Sequence, residues 1–130
     1  MIDGLTCWEQ LGALIAREWQ DPDLLALHFL TVASYNLQHP AQFTDDALAS
    51  LRTAYLDHLD RGVPVAEIRR QMAPRFAGQA RVLKDPAARQ PLLRPWLMTI
   101  ADVYLPNQPQ GAANRVRAWA AVIRRELARG

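Results

Sequence analysis

The side chains able to do chemistry in this sequence are few: one cysteine, Cys7, the histidines His28, His39 and His58, and tyrosines that include Tyr35 and Tyr55. Cysteine and histidine can ligate a transition metal or, beside a suitable base, act as nucleophile and proton carrier. Spacing restricts those roles. His28 and His39 are eleven residues apart, and one continuous helix would separate them by about 16 Å, too far to share a metal ion. A very short turn near Gln20 and Asp21 implies that the helices on either side pack antiparallel, pairing residues whose numbers sum to about 41. Cys7 then lies level with Tyr35 and close to Gln38 and His39. Cys7 and His39 together supply two ligands where a structural zinc needs four.

His28, Thr31 and Tyr35 recur at three- and four-residue spacing, so they share one helix face. With Gln38 and His39 at the same helix's end they form a candidate ligand pocket. The competing structural expectation makes His28 a core histidine bonded to a carbonyl or to a neighbouring helix, because an unpaired buried imidazole costs a few kcal/mol. It makes Cys7 an inert thiol on a buried stripe. His58, beside Asp57 and Asp60 near a helix end, is expected to be exposed and favoured by the helix dipole. A second candidate is an anion-binding loop carrying Arg75, Arg81, Lys84, Arg89 and Arg94, whose segment holds the single acid Asp85. Its ordinary alternative is a solvated loop with salt-bridge partners elsewhere.

The elements that position these residues are helical throughout. Thr6 and Glu9 have capping-box spacing, predicting a first helix from about Cys7 to Trp19 with Cys7, Leu11, Leu14 and Ile15 as its apolar face. Asp21 and Pro22 start a second helix to about Gln38, apolar on most sides and stopped by Pro40. Thr44 caps a third through Leu48, Leu51, Tyr55 and Leu59, which Gly62 ends. Pro64 opens a short fourth with Val65, Ile68 and Met72 as its stripe. Residues 73–98 carry Pro74, Gly78, Pro86, Pro91 and Pro95 without a sustained period and are expected to be mostly loop. Thr99 and Asp102 announce a brief helix stopped by Pro106. Val116, Trp119, Ala120, Ile123 and Leu127 mark the last one.

The expected fold is therefore all-α: one compact helical domain spanning 1–130, a bundle of about five to six helices with a long Pro-rich, basic loop. The 130 residues are 50% hydrophobic and 22% charged, values of an ordinary globular chain. No run approaches the roughly 20 apolar residues of a membrane span, and Met1–Thr6 lacks the basic and apolar segments of a signal peptide. A single cysteine fits a reducing compartment, so the cytoplasm is the expected location and no membrane partner is expected. The net charge of +2 is too small to point to nucleic acid. Gly62–Arg70 resembles the opening helix of a helix-turn-helix, but Pro74 leaves no clear recognition helix after it. No Gly-rich phosphate loop, paired-carboxylate motif or His-Glu-x-x-His zinc motif occurs.

The run from Cys7-Trp8 through His28-Phe29-Leu30-Thr31-Val32, Tyr35 and Leu37-Gln38-His39-Pro40 resembles an uncharacterised bacterial family known only as a domain of unknown function. The resemblance covers residues 6–64 and, more loosely, Thr99–Val103 and the Trp119 helix. It implies that relatives carry a Cys-x-x-Cys pair upstream of the cysteine matching Cys7, which with a histidine such as His39 would form a zinc-type site. The sequence begins after that pair, so the expectation is no cofactor, with Cys7 and His39 as remnants of the site. The resemblance implies no reaction. The leading expectation is a non-enzymatic helical domain that binds a protein partner or self-associates as a homo-oligomer, with its four tryptophans as anchors. The alternative is a small-ligand or degenerate metal-binding domain whose pocket is lined by His28, Tyr35 and His39. An enzyme whose site is assembled from distant residues is a third.

Overall fold

The computed structural model describes residues 6–40, 43–72 and 96–128. Among them the chain forms α1 (Cys7–Arg17), a 3-10 turn (Glu18–Gln20), α2 (Pro22–Leu25), α3 (His28–Gln38), α4 (Asp45–Arg61), α5 (Val65–Met72), α6 (Ile100–Val103) and α7 (Ala112–Ala128). The fold is all-α. The chain divides into two compact units: Met1–Gln38 with Pro95–Gly130, and His39–Arg94.

The helix starts follow from local side-chain chemistry. Thr6 Oγ1 accepts from the Glu9 amide while Glu9 Oε1 accepts from the Thr6 amide, both at 3.2 Å. Thr99 and Asp102 form the same reciprocal box on α6. Asp21 accepts from the Leu24 amide, with Pro22 pre-set in the first turn. Each bond satisfies an amide that the helix itself leaves without an acceptor, a contribution of about 1 kcal/mol.

In the first unit, α3 packs on α7, α1 on α3 and α6, and α6 on α7. Leu11, Leu14, Leu24, Leu30, Ile100, Val103, Val116, Trp119 and Ile123 form its core. Two arginines hold the connection between α6 and α7. Arg17 donates to the Leu105 and Pro106 carbonyls and lies 4.5 Å from the centre of the Tyr104 ring. Arg115 donates to the Val103, Gln108 and Gln110 carbonyls.

In the second unit, α4 starts at its Thr44 cap and packs on α5. It ends at Gly62, whose φ of 67° is a left-handed conformation that a residue with a Cβ adopts only at a cost. His58 is half-buried, and its Nδ1–H donates to the Val63 carbonyl at 2.8 Å, a lock on this corner in place of the expected exposed position.

Two further expectations change, and a third falls outside what the structure describes. The second helix is two, because Leu27 donates to the Leu24 carbonyl in an i→i−3 bond that tightens the chain at Ala26–Leu27 before α3 resumes. Cys7 is exposed rather than buried: as the first helical residue it lies beyond the turn where the stripe meets its neighbours. Most of 73–98, including the anion-loop residues Arg75, Arg81, Lys84, Arg89 and Arg94, lies outside the described residues.

Gly12 sits mid-helix in α1, and a Cβ built there meets nothing within 4 Å. Glycine costs a helix interior about 1 kcal/mol relative to alanine. Gly12→Ala is therefore expected to raise the unfolding free energy by about 1 kcal/mol in a denaturant titration, with unchanged slope. Nothing inside the fold requires this glycine.

Candidate functional site

Of the pocket residues read from the sequence, His28, Thr31, Tyr35 and Gln38 lie on α3 and His39 follows its end; Thr31, Tyr35 and Gln38 are buried. Thr31 is fully buried and donates to the Leu27 carbonyl at 3.2 Å. Gln38 is buried between two partners: its Nε2 donates to the Met98 carbonyl at 2.7 Å and its Oε1 accepts from Trp119 Nε1–H at 3.0 Å. That amide is satisfied on both ends and ties α3 to α7 and to the approach to α6. Tyr35 is buried, with its ring 6.0 Å from that of Trp8 and tilted by 58°. The contact lies close to the level read from the sequence. Burial, and secondarily the charge of a nearby Cys7 thiolate, push the Tyr35 phenol above its usual 10.0. His39 belongs to the second unit.

His28 is neither core nor unaccompanied. Its Nδ1 lies 2.6 Å and 2.7 Å from the two carboxylate oxygens of Glu18. The Glu18 side chain is 2% exposed and that of His28 42%. A carboxylate accepts, so Nδ1 carries the proton and Nε2 is left as the ring's second position. A carboxylate that fixes an imidazole's tautomer is one half of many catalytic and metal sites. The remaining half is not assembled: among the described residues no three His, Cys, Asp or Glu side chains gather closely enough to hold a metal ion. What the pair visibly does is pin the 3-10 turn after α1 to the first turn of α3. Sequence reasoning missed Glu18 because helical periodicity placed it off the apolar face of α1.

The other feature missed is on the opposite side of α1. Trp8, Gly12, Ala16 and Trp19 are all exposed, Trp8 at 66% and Trp19 at 85%. Trp8, Gly12 and Ala16, four residues apart, share one face of α1, and Trp19 follows in the 3-10 turn Glu18–Gln20. Leu11 and Leu14 are buried on another. In the sequence only the two tryptophans mark this face, because Gly12 and Ala16 carry too little side chain to register as apolar positions. Trp8 is steadied by Tyr35, while Trp19 makes no hydrogen bond or ring contact among the described residues. Among those residues, no helix is long and apolar enough to cross a membrane.

A family of unknown function (DUF5946) matches residues 1–128. No curated protein and no solved structure matches the chain.

Proposed function

We propose, from the premise that this chain belongs to DUF5946, a family of unknown function, that it is a non-enzymatic interaction domain whose docking surface is the outer face of α1. The observation that carries the proposal is the stripe Trp8, Gly12, Ala16 and Trp19, with both tryptophans largely in water. Leaving about 300 Å² of tryptophan surface exposed forgoes on the order of 7 kcal/mol of transfer free energy. A single exposed apolar residue is ordinary, but two tryptophans joined by small residues along α1 and the turn that follows it make a continuous apolar strip. Tryptophan is also the side chain most enriched among energetically dominant interface residues. Gly12 fits the same account: the fold does not need it, whereas a backbone that another surface approaches closely does.

The rival reading, a small-ligand or degenerate metal site around His28, Tyr35 and His39, draws on the Glu18–His28 pair. It has less support, because Thr31 and Gln38 are held by internal hydrogen bonds.

A photo-crosslinking side chain placed at Ala16 in living cells tests the docking surface, with the same group at the exposed Ala121 of α7 as control. The expected result is an adduct of defined mass from position 16 that position 121 does not give and that Trp19→Ala abolishes. Because Trp19 is 85% exposed, Trp19→Ala is expected to change stability by no more than about 0.5 kcal/mol, so lost docking is not lost folding. Equal adducts from both positions, or none, would contradict the proposal.

A further inference from the structure

The Glu18–His28 pair leaves one ring nitrogen unused. Nδ1 is held by both Glu18 oxygens, at 2.6 Å and 2.7 Å, whereas Nε2 makes no hydrogen bond or ion pair among the described residues. With its proton on Nδ1, the neutral ring keeps a lone pair on Nε2. That lone pair is a nucleophile, and a side chain 42% exposed leaves it open to a reagent brought from outside. The two-oxygen hold also fixes the ring on the first turn of α3, so Nε2 is presented in one direction and the ordering entropy of attack is already met.

Charge is arranged for the same event. A bond formed at Nε2 makes the ring cationic, and the Glu18 carboxylate, 2% exposed and so poorly screened, lies against that charge. The two nitrogens point to opposite sides of the ring, so Glu18 stabilises it without facing an anion that arrives at Nε2. Of the acids at the start of α2, Asp21 is turned to the Leu24 amide and Asp23 is exposed to water, which screens it. His58 lacks this support, since its Nδ1 faces the neutral Val63 carbonyl. Acyl transfer would also need hydrogen-bond donors aimed at a developing oxyanion. Phosphoryl transfer asks its acceptor for little beyond a well-placed lone pair, because the transition state is loose.

We infer that His28 is a phosphoryl acceptor, loaded at Nε2 by a phosphoramidate-type donor, with Glu18 as its positioning residue. The Nε2 lone pair forms the new N–P bond as the donor's N–P bond breaks, and that electron pair leaves on the donor nitrogen as an amine. The Nδ1 proton stays against Glu18 throughout. Acceptance is stoichiometric, so it asks for no turnover by this chain, and it does not depend on the outer face of α1. The purified full chain, incubated with potassium phosphoramidate and mapped by mass spectrometry, is expected to gain one phosphoryl group first at His28, with phosphorus NMR placing it on Nε2. His58 is expected to load at least about tenfold more slowly, a comparison that needs no variant. Glu18→Gln, which removes the charge and leaves the ring exposed, is expected to slow loading of His28 at least about tenfold with an unchanged circular dichroism spectrum. Glu18→Ala frees Nδ1 and is expected to give both phosphoimidazole isomers. Loading of His28 no faster than that of His58, attachment at Nδ1 in the parent, an equal rate in Glu18→Gln, or the Nε2 isomer alone from Glu18→Ala would overturn the inference and leave the pair as a structural clasp.

Discussion

Trp119→Ala is expected to lower the unfolding free energy by about 3–5 kcal/mol, the largest loss from any single exposed or buried position considered, and to lower the melting temperature by about 10–20 °C. Trp119 is completely buried at the centre of α7, among the largest side chains of the core. Its removal leaves a cavity that rigid neighbouring helices close only in part, and it also strips Gln38 Oε1 of a 3.0 Å donor in a buried position. Trp119→Phe separates the two contributions. It keeps most of the apolar volume, so the expected loss is about 1–2 kcal/mol and reflects the missing N–H donor. A Trp119→Phe, Gln38→Leu cycle measured by chemical denaturation is expected to show coupling, because the two side chains share one hydrogen bond. Strict additivity would mean that this bond contributes nothing to the packing of α3 on α7.

The second large effect is expected at the corner between α1 and α3. His28→Ala leaves the Glu18 carboxylate, 2% exposed, without the imidazole that now binds both its oxygens. A buried charge deprived of its partner is costly, up to 3–5 kcal/mol where both groups are sealed from water. The His28 side chain is 42% exposed, so water enters the vacated space and the expected loss is about 2 kcal/mol. Glu18→Gln, which removes the charge and keeps an acceptor, is expected to cost about half as much, and the double variant less than the two single losses together. Differential denaturation of the four proteins checks this. If His28→Ala costs no more than an average surface substitution, the pair is not holding the corner and the orientation of α1 depends on core packing alone.

What the sequence disclosed and what it hid divide along a physical line. Helix starts depend on residues three apart, so Thr6 with Glu9, Asp21 with Pro22, Thr44, and Thr99 with Asp102 could be read directly. Trp8 of α1 meets Tyr35 of α3 close to the level read from the sequence, although the 3-10 turn and α2, rather than one short turn, connect the two helices. Periodicity reports which face of a helix is apolar and says nothing about what meets it. Gln38 therefore looked like a pocket residue, although its partner Trp119 is 81 residues away. Glu18 falls off the apolar spacing of α1, yet the 3-10 turn that it opens brings it to His28. Cys7 followed the spacing of the buried stripe, but a periodic position at the tip of a helix has no neighbouring turn to cover it. The outer stripe of α1 was hidden for the opposite reason: Gly12 and Ala16 carry too little side chain to register as hydrophobic positions, though between two tryptophans they decide how closely another surface can approach.

The claim that unites these observations is that the outer face of α1 is covered when the protein works. Hydroxyl-radical footprinting reads it residue by residue, comparing the dilute purified chain with the same chain inside cells. Trp119, completely buried, is expected to stay unreactive in both, which shows that the fold is the same. Trp8 and Trp19 are expected to oxidise readily in the dilute chain and to be protected several-fold in the cell. Equal oxidation of Trp8 and Trp19 in the two settings, with Trp119 still silent, would contradict the account.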